Sequence, residues 1–128
     1  MLSSWGIVMS NVVKISTEVI SKVRYALEAF ASARRTPTFD DIEKSVGVNF
    51  RRDHWHQVLD PIYEELRAAR EPDLTAIIVY GSGEKKGYPA FFSDGSKARS
   101  HHFNPNNLAQ LSRWTEEVKR VFAKYCKQ

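Results

Sequence analysis

The sequence predicts an α+β fold, mainly helical with one β-hairpin, for a chain of 128 residues. Three observations carry that prediction. Apolar residues recur at three- and four-residue spacing through residues 15–34, 51–70 and 104–125, the stripe of helices buried along one side. Residues 74–80 form a short β-branched run bounded by Pro72 and Gly81, the composition of a buried strand. Residues 88–92 follow a glycine-rich turn and read as the returning strand of a hairpin spanning residues 74–92.

The first helix is expected to start at Ser16 as N-cap and to turn Val19, Ile20, Val23, Leu27 and Phe30 inward. Pro37 ends it, because a residue before proline is biased out of the helical region. Thr38 and Asp41 have the spacing of a capping box for a short second helix, with Ile42 and Val46 inward and Gly47 suited to a left-handed closure. The third helical stretch places Trp55, Leu59, Ile62 and Leu66 on one side, and Pro61 either kinks it or divides it near Asp60. In the returning strand Pro89 has no N–H to donate and is expected on a sheet edge. Asn104-Pro105 is expected to open the last helix, whose inner face is Leu108, Leu111, Trp114, Val118, Val121 and Tyr125. Residues 1–14 read as an N-terminal extension and 15–128 as one α+β domain.

With 42% hydrophobic and 12% aromatic residues, the chain has material for one core and does not have the composition of a disordered segment. The net charge of +4 is mildly basic, favouring polyanions without amounting to a polybasic arm. One cysteine, Cys126, excludes an intramolecular disulfide and a cysteine-based metal cage, which fits a reducing cytoplasm. The first residues have no basic stretch and only a short, interrupted apolar run, so neither a signal peptide nor a membrane span is expected there.

Four groups of residues have spacing that invites a chemical reading. The glycine-rich loop 81–87 follows a strand-like run, but no Gly-Lys-Ser/Thr and no helix come after it, so a lysine-tipped hairpin turn is expected rather than a phosphate cradle. Pro72-Asp73 with Glu84 and Lys86 matches the letters of metal-dependent PD-(D/E)xK nucleases, in which two carboxylates share a divalent cation. At about 3.3 Å per residue, a straight strand would hold Asp73 and Glu84 too far apart for one ion. The histidines pair as His54 with His56 and as His101 with His102, and converging imidazoles could bind zinc or exchange protons with Lys97 or Arg99 beside them. On a helix His54 and His56 point about 200° apart, so only one can face a given partner. The cations Arg34-Arg35, Arg51-Arg52, Lys85-Lys86, Lys97 and Arg99 fall at element ends and loop tips, where phosphates could be met.

The order of capped short helix, turn, longer helix, strand and basic hairpin resembles a winged helix-turn-helix. Residues 38–47, Thr-Phe-Asp-Asp-Ile-Glu-Lys-Ser-Val-Gly, resemble the threonine-capped first helix in the DNA-binding half of alkyltransferase-like proteins. The Pro-Cys-His-Arg active site of those proteins is absent, so the likeness implies DNA docking and not their chemistry. Leu59-Asp-Pro-Ile62, the segment from Pro72 to Val79 and Gly87-Tyr-Pro89 are similar to a group of small bacterial proteins of unknown role, a likeness that implies a shared fold and no function.

The expected function is therefore a nucleic-acid-binding or regulatory module without catalytic activity. It would meet DNA or RNA phosphates through Arg51, Arg52, Lys85, Lys86, Lys97 and Arg99, with no metal and no cofactor. The first alternative is a small protein-binding inhibitor or immunity-type factor. The second is a nuclease using Asp73, Glu84 and Lys86, or His101 and His102.

Overall fold

The computed structural model describes residues 15–50, 54–92, 104 and 106–126. These carry α1 (Thr17–Ser32), α2 (Phe39–Val46), α3 (Trp55–Ala68), a 3₁₀ turn (Leu74–Ile77) and α4 (Leu108–Tyr125). Residues 1–14, the expected extension, lie outside the described residues.

Local chemistry sets the ends of the helices. Ser16 caps α1 by accepting from the Val19 N–H at 3.1 Å. Beyond α1, Arg34 takes a left-handed φ of 56°, donates to the Ala31 carbonyl at 3.0 Å, and lets Arg35 donate to Phe30 at 2.9 Å. This is a Schellman closure with arginine where glycine is usual. Arg70 repeats it after α3, with φ 58° and Glu71 donating to the Leu66 carbonyl at 2.8 Å. So α1 ends on a hydrogen-bonded turn three residues before Pro37, and the proline is not what stops it. The capping box of α2 forms as expected: Asp41 N–H donates to Thr38 Oγ1 at 3.1 Å, and Thr38 N–H donates to Asp41 Oδ2 at 3.0 Å. Gly47 closes α2 at φ 80°.

α3 is one continuous helix across Pro61. Pro61 and Gln57, whose carbonyl loses its partner, are both exposed, so water can meet the orphaned group. α4 begins later than expected, with Asn107 rather than Asn104 as N-cap, accepting from Gln110 N–H at 3.1 Å. Leu108, expected inside, is 75% exposed because it lies in the first turn, ahead of the packed part of the helix.

The described residues contain no strand or sheet, which corrects the expected β-hairpin, the α+β class and the winged helix-turn-helix core. The fold is mainly helical. Residues 74–79 are buried as a strand would be, but Leu74–Ile77 coil as a 3₁₀ turn because Asp73 accepts from both the N–H and the hydroxyl of Thr75, at 2.9 and 2.6 Å. Such a side-chain bond offers the backbone a turn in place of a ladder. What remains of the hairpin is two isolated bridges, Val79 with Pro89 and Tyr80 with Lys86. Pro89 is buried rather than set on a sheet edge.

The core gathers Val23, Leu27 and Ala31 of α1, Ile42 of α2, Val58, Leu59, Ile62 and Leu66 of α3, Val121 of α4, and residues 74, 77, 78, 90 and 91. α1 touches the other three helices and the 3₁₀ turn. Arg24 adds an ion pair to Glu65 of α3. Leu27, fully buried at this meeting point, sets the scale of the core. Leu27→Ala lowers stability by about 2–5 kcal/mol in urea unfolding. Arg70→Gly raises it by about 0.5–1 kcal/mol, since glycine bears no left-handed penalty. A destabilised Arg70→Gly protein would contradict the closure described for α3.

Candidate functional site

Among the described residues, those singled out by sequence do not assemble into one site. Arg51, Arg52, Lys97, Arg99, His101 and His102 lie outside the described residues. Lys85 and Lys86 are exposed on the loop that reverses the chain, beside exposed Glu84. Gly81 of this loop abuts α2's cap, since a Cβ there would meet Thr38 Cγ2 at 3.0 Å, and Val79 N–H donates to the Pro37 carbonyl at 2.9 Å. These contacts anchor the start of the loop on the segment between α1 and α2.

Asp73 is buried, its Oδ1 engaged by Thr75 and its N–H donating to Glu117 Oε2 at 2.7 Å, whereas Glu84 faces solvent. His54 is 8% exposed at the start of α3, while His56 is exposed, 3.8 Å from Asp60 and 5.5 Å from the Phe91 ring centroid. The two imidazoles diverge as helix geometry requires. Among the described residues no three His, Cys, Asp or Glu side chains are placed to hold a metal ion.

Two of the grooves among the described residues bear on function. One, of about 530 Å³, lies between α3 and α4 and includes Arg67, Asp73, Arg113 and Glu117. Its charges are largely engaged with one another or nearby: Arg120 with Glu117 at 2.9 Å, Arg67 with Glu64 at 3.9 Å, Glu71 with Lys124, and Glu117 with the Asp73 backbone. This lattice fastens α4 to the chain around Asp73. Trp114 of α4 adds a hydrogen bond from Nε1 to the Ala76 carbonyl at 2.7 Å. At the far end of α4, burial pushes the Tyr125 phenol above its usual pKa; Glu28 pushes the same way and Arg24 opposes.

The other groove, of about 590 Å³, runs between α1 and α2 and is mostly apolar: Tyr25, Ala26, Ala29, Phe30 and Ala33 of the α1 side face Val46. Tyr25 is 78% exposed. Lys22 and Arg35 stand toward its two ends, and the Arg35 guanidinium lies 5.3 Å from the Phe30 ring centroid. No ion pair among the described residues engages Lys22 or Arg35. Sequence reading missed this groove, because the eye follows the Val23–Leu27 stripe. The signal was present in the 22, 26, 29, 33 spacing, which at about 100° per residue makes a second stripe centred about 130° round the helix from Leu27.

The lining of this groove is thus chiefly apolar, with its two cations at the ends. No helix among the described residues is long and apolar enough to cross a membrane. The polar anchor of α4 is testable: Trp114→Phe leaves the buried Ala76 carbonyl without the indole N–H and lowers stability by about 1–3 kcal/mol in urea unfolding. An unchanged midpoint would show that the bond is not an anchor. No known protein family, curated protein or solved structure matches this chain.

Proposed function

We propose that this chain is a non-catalytic protein-binding factor that docks its partner in the α1–α2 groove. The observation that carries this is the exposed apolar lining crowned by Tyr25. Tyrosine at the centre of an apolar patch is a frequent anchor of protein interfaces. On this reading the contact surface lies on α1 and α2.

Affinity capture from cells of the source organism, quantified for wild type and variants, tests the reading. Tyr25→Ala and Ala29→Glu should each lower partner recovery by roughly thirtyfold, the equivalent of about 2 kcal/mol, while leaving the urea midpoint unchanged. Ser112→Glu, in the other groove, should change nothing. Equal recovery by all three would reject the α1–α2 groove.

One observation favours a second reading, nucleic-acid binding. Lys85 and Lys86 are both exposed on the loop 81–87, and Gly81 of that loop packs against Thr38, in the segment that leads from Arg34 and Arg35 into α2. Against it, α3 carries Asp60, Glu64 and Glu65 toward its solvent side, where a groove-reading helix needs neutral or basic residues. RNA or DNA affinity that falls steeply with salt, and falls further in Lys85→Ala/Lys86→Ala, would support it; no binding at low salt would end it.

A further inference from the structure

From the groove's charge pattern, and resting on the protein-binding reading above, we propose the partner's chemistry: an amphipathic helix of another protein, apolar along one stripe and carrying carboxylates at both ends of that stripe. Lys22, Ala26, Ala29 and Ala33 repeat at intervals of four, three and four, the seam spacing against which a second helix lies. Alanine at three of these positions lets a partner backbone come close, and Phe30 and Val46 supply apolar flanks. The seam from Lys22 to Ala33 covers three turns, about 16 Å, so the matching helix is at least that long.

Charge identifies the occupant. The charged residues lining the groove are Lys22 and Arg35, both basic. None of the carboxylates of α2 lines the groove, and two of them are engaged elsewhere: Asp41 closes the capping box and Glu43 accepts from the Phe50 N–H at 2.8 Å. Carboxylates about three turns apart on the incoming helix would meet the two cations, fixing register and direction along an otherwise undiscriminating apolar strip. Two other occupants lack this complementarity. Residues 1–14 contain no Asp or Glu and one lysine, Lys14. A second copy placed groove to groove by two-fold symmetry would set the Lys22 and Arg35 pair against itself.

Replacing exposed Ser45, on the α2 wall of the groove, by the photoreactive p-benzoylphenylalanine in the full chain, expressed in cells of the source organism, identifies the occupant directly. Mass spectrometry of the cross-linked product should find a peptide of another protein with apolar residues at three- and four-residue spacing and Asp or Glu near both ends. Lys22→Glu with Arg35→Glu should cut the cross-link yield about tenfold, and Lys22→Arg should leave it unchanged. A cross-link to another protein lacking those carboxylates, or a yield indifferent to the charge reversal, would overturn the acidic helix while leaving the groove as a protein-docking site. A cross-link to residues 1–14, to a second copy, or no yield above the same probe at exposed Leu108, would overturn both.

Discussion

The molecule depends on keeping the polar backbone of residues 74–79 hydrogen-bonded while their side chains are buried at 6% exposure or less. In a sheet, neighbouring strands would supply those bonds as a ladder. Here each comes from a different place. The Asp73 carboxylate takes the Thr75 N–H, the Asp73 carbonyl takes Ala76, the indole of Trp114 serves the Ala76 carbonyl, Pro37 accepts from Val79, and Ala90 donates to Ile78 at 2.8 Å. An unmade bond in this thread would cost about 1–3 kcal/mol. The segment before α2, helix α4 and the returning residues 88–90 are thus held in place by the bonds they provide, and α1 and α3 pack onto the thread's side chains.

This arrangement explains why the candidate docking surface lies where it does. α1 spends one face on the core, with Val23, Leu27 and Ala31 fully buried. Among the described residues, α2, of eight residues, lies along its other side and leaves the alanine stripe open as a groove. The α3–α4 groove differs because Arg120 pairs with Glu117 inside it, and Arg67 and Glu71 pair with neighbours at its edge. A cleft whose charges are already matched has less to offer a partner than one whose two cations face outward without carboxylates.

Much of the helical framework was legible in the sequence. The caps at Ser16 and Thr38, the closure at Gly47 and the inner faces of α1 and α3 all rest on short-range chemistry or on periodicity, and each lies where that chemistry puts it. Residues 74–80 misled because a buried apolar run has the same composition whether it pairs as a strand or coils as a thread. The deciding group was the Asp73 side chain, whose reach to Thr75 is a local contest with the ladder. The helical stripes stop at Arg34 and Arg70 as the helices do, but the left-handed closure at each was hidden, since that position normally announces itself with glycine. The groove was hidden for another reason. Alanines and one tyrosine on the outer side of α1 become an apolar surface only when α2 is set beside them, and no local pattern states that neighbour.

Amide hydrogen exchange tests the central role of the buried thread most directly. The N–H groups of Thr75, Ala76, Ile78 and Val79 should be among the slowest in the protein, exchanging only through global unfolding, and Trp114→Phe should accelerate all four together. Exchange of these amides as fast as that of the exposed residues 82–87, or acceleration of Ala76 alone, would contradict the account.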